Sequence, residues 1–193
     1  MNNQIVRFRI TGLSPLMLKK MVNDDLSDSG EASVKKKIDP AEEAERAAHR
    51  LPSTNGHKGQ LAITAEGFRY GLLYAAPEYK FGKLRGPRVI QSSVGTTQDL
   101  VGLIDPESKE PIYEYEIDGR PFVNRTTKGR MMTYRPKINK WECIVELEID
   151  LDLLPDPKQL LPIFNKAGVI SGAGSFRPQK KGPFGKYMVE MVD

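Results

Sequence analysis

Residues 141–150 read WECIVELEID, and this stretch decides the fold that we predict. Apolar side chains occupy every second position of it, and the alternate positions are mostly acidic. A repeat of two residues is typical of a strand with one buried face and one solvated face. The predicted inward-facing residues are Trp141, Cys143, Val145, Leu147 and Ile149.

The segments on either side of this strand extend the pattern to a mixed α and β domain. After it, residues 158–167 predict a helix and residues 187–192 a closing strand. Before it, residues 4–11 alternate as an opening strand, and Thr64 is a plausible N-cap for a helix that runs to about residue 74. This order predicts a ferredoxin-like or RRM-like α+β fold: an antiparallel sheet with helices on one face and long insertions.

Two regions interrupt the pattern and are predicted to be insertions within a single domain of residues 1–193. Residues 19–38 are polar, charged and poor in aromatic side chains, which favours a mobile insertion. Residues 79–140 read as inserted strands and loops, including a strand-like run, VIQSSV, at 89–94. Between the two regions, Asp39 and Pro40 are typical of the start of a helix.

Composition excludes several classes of protein. The chain has 193 residues, a formal net charge of +4 and one cysteine, so internal disulfides and multi-cysteine metal sites are excluded. A lone cysteine also fits a reducing, cytoplasmic setting. No apolar run approaches the length of a membrane span, and no membrane association is expected. The acidic clusters lack the glycine and terminal glutamate of a calcium loop, so no metal is expected either.

Positive charge is concentrated between residues 120 and 141, a stretch that contains no aspartate or glutamate. Segregation of basic from acidic side chains is typical of a nucleic-acid-binding face. A basic surface without a ligand would explain the same pattern, and this alternative stays open. The expected phosphate contacts are Arg125, Lys128, Arg130, Arg135 and Lys137.

The second candidate region is a glycine-rich loop, GVISGAGSFRPQKKGPFGKY, at residues 168–187. Glycine lets a backbone approach a partner closely, and successive free N–H groups can bind an anion. Basic side chains neutralise phosphates, and aromatic rings stack on bases. The alternative is a connector whose glycines only turn the chain. The candidate binding residues are Gly172, Gly174, Phe176, Arg177, Lys180, Lys181 and Lys186.

The aromatic residues of this loop have different predicted roles. Phe176 is the ring that we expect to stack on a base, whereas Phe184, just before the closing strand, is expected in the core. Neither GAGSFR nor GPFGKY has the spacing of a dinucleotide-binding loop or a Walker A loop, so no nucleotide cofactor is expected.

Three stretches resemble the CRISPR-associated RAMP superfamily. RFRITGLSPLML at 7–18 resembles its opening strand with a Ser-Pro-Leu turn, and LAITAEGFRYGLLYAA at 61–76 resembles its first helix. GVISGAGSFRPQKKGPFGKYMVEMV at 168–192 resembles its C-terminal glycine-rich loop and final strand, and the middle of the chain is unmatched. Arg177 and Pro178 depart from the usual loop. This favours a divergent relative, such as a phage-borne one, over an ordinary member of a CRISPR effector.

The resemblance implies a non-catalytic RNA-binding protein that assembles along a strand, with the glycine-rich loop against the nucleic-acid backbone. The implied partners are single-stranded nucleic acid, RNA rather than DNA, and further subunits or copies. Some RAMP proteins cut RNA without a metal by using a histidine, for which this chain offers His49 and His57. A phage-encoded factor that mimics or docks on a CRISPR or other host complex is the other alternative.

Overall fold

The computed structural model describes residues 2–20, 39–53, 56, 58–123 and 129–192. Residues 21–38, most of the predicted mobile insertion, lie outside this description. The helices are α1 (Pro40–Ala47), α2 (Ala65–Ala75), α3 (Gly86–Ser93) and α4 (Leu160–Ile170). The strands are β1 (Asn3–Gly12), β2 (Leu16–Met17), β3 (His49–Arg50), β4 (Leu61–Thr64), β5 (Lys80–Phe81), β6 (Leu84–Arg85), β7 (Val94–Thr96), β8 (Leu100–Gly102), β9 (Glu116–Val123), β10 (Arg130–Ile138), β11 (Glu142–Asp150) and β12 (Tyr187–Val192).

Four strands form the main sheet, in the spatial order β12-β1-β11-β7, and every neighbouring pair is antiparallel. Along the chain these strands alternate with two helices as β1-α2-β7-β11-α4-β12. A βαββαβ order with the first strand between the third and the fourth is the ferredoxin-like arrangement. The predicted α+β fold is therefore confirmed.

The core lies between one face of this sheet and helices α2 and α4. The inward-facing residues predicted at 141–149 are all buried, and Phe8 of β1 is buried beside them. The ring of Phe164 in α4 meets the ring of Phe8 edge to face at 5.4 Å and that of Phe68 in α2 at 6.4 Å. Edge-to-face aromatic packing of this kind adds to the stabilisation from burial.

The strand predicted at 89–94 is wrong, because residues 86–93 form α3. Val89, Ile90 and Ser93 are buried on one helical face, and Pro87 stands in the first turn, where its missing N–H costs nothing. Of the residues at 89–94, only Val94 lies in a strand. There, β7 pairs with β11 and supplies the fourth strand of the main sheet.

A smaller sheet, β2-β10-β9, contains the structure on which the candidate site depends. Strands β9 and β10 form a long antiparallel hairpin in which Val123 pairs with Arg130 and Glu116 pairs with Lys137. Strand β2 joins it where Met17 pairs with Lys137, and α1 packs on β10 and β9. In the described part of the chain, no helix is long and apolar enough to cross a membrane.

Candidate nucleic-acid interface

The glycine-rich loop is held against the rest of the protein by its own backbone. The Ser175 N–H donates to the carbonyl of Met17 at 2.7 Å, and the Gly185 N–H donates to that of Pro15 at 2.8 Å. Across the loop, the Ala173 N–H donates to the carbonyl of Gly185 at 2.8 Å. Most amide groups of residues 171–186 donate within the protein, which leaves the N–H groups of Gly174, Phe176 and Arg177 as those without an acceptor among the described residues.

The predicted glycine positions are explained by the packing of the loop itself. Gly174 has φ +69°, and a Cβ there would lie 2.4 Å from the carbonyl oxygen of Met17. Gly172 has φ +67°, and a Cβ there would lie 2.6 Å from Pro178 Cδ. Both positions therefore need glycine for the left-handed backbone and for close contact within the chain.

Two arginines of the β9–β10 hairpin lie over two phenylalanines of the loop. The guanidinium carbon of Arg135 is 4.7 Å from the ring centroid of Phe176, and that of Arg120 is 4.6 Å from the ring centroid of Phe184. An Nη of Arg135 also donates to the hydroxyl of Ser175. We call these five residues the hairpin–loop junction.

The register of the hairpin explains why both arginines reach the loop. Asp118 lies opposite Arg135, and Arg120 lies opposite Thr133, so all four side chains share one face of the hairpin. Asp118 also holds Arg120 through two bonds, the shorter joining Nε to Oδ1 at 2.6 Å. The two arginine–phenylalanine pairs thereby fix the hairpin against the loop.

The two rings of the junction have different environments. Phe184 is buried, with 7% of its surface exposed, which confirms its predicted place in the core. Phe176 is half-buried and has φ +50°, a left-handed conformation that costs a non-glycine residue about 1–2 kcal/mol. Strain of this kind at a bulky residue is uncommon and concentrates at functional sites.

The predicted basic residues fall into three groups. Lys180, Lys181 and Lys186 of the loop and Arg130 of β10 are exposed, and within the described residues they form no ion pair. Three others are engaged. Arg135 belongs to the junction, Lys137 Nζ lies 3.0 Å from Glu116 Oε2, and Arg177 donates to Gln179 Oε1 at 2.7 Å. The last two, Arg125 and Lys128, lie outside the described residues.

The open face of the main sheet has a different character. Arg7 Nε lies 2.9 Å from Glu146 Oε1, and Arg9 lies between Glu142 at 3.7 Å and Glu190 at 3.8 Å. Carboxylates thus balance the arginines on this face. RRM proteins bind RNA on the corresponding face through exposed aromatic rings, and β1, β11 and β12 direct none there.

One of the two histidines predicted as weak catalytic candidates, His49, is not among the five residues of the junction. His49 is half-buried in β3, where it pairs with Ala62 of β4. Burial lowers the pKa of its imidazole, the charge of Lys20 lowers it further, and a hydrogen bond with the Lys19 backbone opposes both effects. His57 lies outside the described residues. Among the described residues, no cluster of three or more His, Cys, Asp or Glu side chains is placed to hold a metal.

Sequence reasoning missed two members of the junction, Arg120 and Ser175, and also Asp118, which holds Arg120. Arg120 was visible in the basic stretch, but only the register of the hairpin shows which ring it covers. Ser175 lies 40 residues from Arg135, so no local pattern could join them.

Comparison of the sequence with protein-family models and with curated proteins gave no match. Solved structures similar to this chain include the crystal structure of Cmr6 from Pyrococcus furiosus. The two share 9% sequence identity with a TM-score of 0.48, over 97% of this chain and 99% of that one. At this distance we assign neither family nor function from the likeness, and the RAMP resemblance stays an inference from the sequence.

Proposed function

We propose that this chain is a non-catalytic protein that binds single-stranded nucleic acid at the hairpin–loop junction, and RNA in preference to DNA. One observation carries the proposal. Phe176, in a strained conformation, is held by the guanidinium of Arg135 beside lysines that have no counter-ion within the described residues. The preference for RNA rests on the resemblance to RAMP proteins.

Phe176 of the junction and the neighbouring lysines of the loop have different roles in binding. A base stacks on the exposed part of the Phe176 ring, a contact worth about 1–3 kcal/mol and tolerant of base identity. Lys180, Lys181 and Lys186 neutralise the phosphates of the same strand. Arg135 positions the ring, because its guanidinium is already engaged by Phe176 and Ser175. Binding by stacking and charge is largely independent of sequence.

We also propose, from the RAMP resemblance, that copies or other subunits assemble along the bound strand. Strand β12 is an edge strand, and its edge is closed at Val189. The Asn165 side chain accepts from the Val189 N–H at 2.8 Å and donates to the Val189 carbonyl at 3.0 Å. A side chain that covers a strand edge in this way prevents another strand from pairing there.

The proposal is tested by fluorescence anisotropy with labelled oligouridylate, oligodeoxythymidylate and a duplex. Binding of each probe is measured over a series of salt concentrations. We expect the affinity to be highest for oligouridylate, lower for oligodeoxythymidylate and lowest for the duplex. Replacement of Lys180, Lys181 and Lys186 by glutamine is expected to reduce the log–log salt slope by about 0.7 for each lost phosphate contact. Lys158→Gln, an exposed change beside Asp156, is the matched control. Affinity that does not change with salt, or equal binding by the triple variant, would contradict the proposal.

A further inference from the structure

A second group of cations, which the proposed function does not use, lies on the short hairpin formed by β5 and β6 and on the first turn of α3. Lys80, Lys83, Arg85 and Arg88 are all exposed, and none forms an ion pair with another described residue. Lys80 and Arg85 are direct partners across the hairpin. Like charges opposite each other on neighbouring strands are destabilising.

The charge of this hairpin is not balanced by its surroundings. The acid that precedes it in the chain, Glu78, is paired with Lys166 of α4. On α2, Glu66 is paired with Arg69 at 2.9 Å. The four cations therefore form a patch that an anionic partner would stabilise.

The base of the hairpin fixes the backbone that carries these cations. A hairpin with two residues in each strand is marginal by itself, so its order depends on its base. The Gly86 N–H donates to the Tyr79 carbonyl at 2.8 Å, and a Cβ at Gly86 would lie 2.4 Å from the Ala76 carbonyl oxygen. Tyr79 and Phe81 pack against the core. The hairpin backbone is thus ordered before a ligand binds, and only the exposed Lys and Arg side chains have to be ordered on binding.

Two exposed tyrosines on α2 indicate what kind of anion fits the patch. Tyr70 and Tyr74 are 60% and 48% exposed, one helical turn apart, on the helix that leads into the hairpin. Four residues of helix separate them by about 6 Å along its axis. Exposed rings on the helix that precedes a basic hairpin favour single-stranded nucleic acid over an acidic polypeptide, because bases stack on rings and carboxylates do not.

We infer that the β5–β6 hairpin, together with Tyr70 and Tyr74, is a second contact surface for the nucleic-acid strand. This inference rests on the proposed function and extends it. Tyr79, at the base of the hairpin, bonds to the Pro162 carbonyl in the first turn of α4, whereas the glycine-rich loop leaves the last turn of that helix. The length of α4, about 16 Å, separates the hairpin from the glycine-rich loop, and α2, which carries the two tyrosines, packs along α4 between them. A long strand contacts both surfaces, and a short one contacts a single surface.

The test compares three variants with the wild type on two lengths of labelled oligouridylate. One variant replaces the hairpin cations by glutamine, one carries Tyr70→Ala with Tyr74→Ala, and Lys158→Gln is again the control. The long probe has about 20 nucleotides, beyond the roughly 4–16 nucleotides of a typical single-strand site, and the short probe about 6. Thermal melts confirm that each variant is folded. If the fourfold variant is not, Lys83→Gln with Arg88→Gln replaces it.

On the long probe, we expect the hairpin variant to bind at least about tenfold more weakly, with a salt slope reduced by about 0.7 for each lost phosphate contact. The tyrosine variant is expected to bind at least about fivefold more weakly. If both variants bind like the control while the loop-lysine variant is weakened, this inference is overturned and the proposed function stands. If the wild type binds neither probe, both fail. The inference is also overturned if unlabelled polyglutamate displaces the probe as efficiently as unlabelled oligouridylate does and the tyrosine changes have no effect. That result would assign the patch to an acidic polypeptide.

Discussion

Replacement of Phe176 and Phe184 separates binding from folding, because both rings carry an arginine at nearly the same distance. Phe184 is buried, so Phe184→Ala is expected to cost about 3–5 kcal/mol of unfolding free energy. Phe176 is half-buried, and its alanine variant loses mainly the contact with Arg135, worth about 0.5–2 kcal/mol. The same variant is expected to lose about 1–3 kcal/mol in single-strand binding.

A glycine at position 176 tests the strain directly. Phe176→Gly and Phe176→Ala lose the same ring, but only glycine adopts φ +50° without a steric penalty. We therefore expect the glycine variant to be more stable than the alanine variant by about 1 kcal/mol, the reverse of the usual order in regular structure. Both variants are expected to bind oligouridylate equally weakly.

Unfolding in denaturant, followed by the fluorescence of the single, buried Trp141, gives the stabilities, and anisotropy gives the affinities. Wild-type affinity in a folded Phe176→Ala variant would refute stacking on this ring. An alanine variant at least as stable as the glycine variant would refute the assignment of strain.

Three further predictions concern stability. Hydrogen bonding from Arg50 lowers the pKa of Glu45 to about 2, so the stabilising contribution of Glu45 is complete above its unfolded pKa near 4.5 and is lost as the pH falls towards 2. The unfolding free energy of Glu45→Gln should therefore change less between these pH values than that of the wild type, and an unchanged profile would contradict this. Gly174→Val places a β-branched residue at positive φ and against the Met17 carbonyl, so it is expected to lower the free energy of unfolding in denaturant by at least about 2 kcal/mol. A variant as stable as the wild type would mean that the loop can rearrange. Tyr187→Phe removes a buried hydroxyl that has no hydrogen-bond partner among the described residues, so it should raise the unfolding free energy by about 1 kcal/mol. A decrease of that size in the unfolding free energy would show that the hydroxyl has a hydrogen-bond partner.

The fold could be predicted from the sequence where burial follows a local repeat. In residues 141–149 every second side chain is apolar, and that repeat alone identifies the face of β11 that meets the helices. The same reasoning failed at 89–94. The run VIQSSV, with apolar residues at 89, 90 and 94, fits a strand or a helix, and packing of Val89 and Ile90 against the core selected the helix.

The candidate site was only partly predictable for a related reason. The loop and its basic residues are visible in the sequence, and so is the separate place of Phe184 in the core. The sequence does not show that Lys137 is neutralised by Glu116 while Lys180 has no ion-pair partner among the described residues, because ion pairs depend on distances between segments far apart in the chain.

By itself, the sequence determined the alternation of the strands, the order of the elements and the concentration of positive charge, because each is a property of neighbouring residues. The tertiary structure alone decided that Arg135 covers Phe176, that Phe176 has a strained backbone, and that Lys80 lies opposite Arg85. Strand register and loop conformation place these groups, and both result from packing of the whole chain. Physical contact between side chains, unlike their periodicity, is not encoded locally.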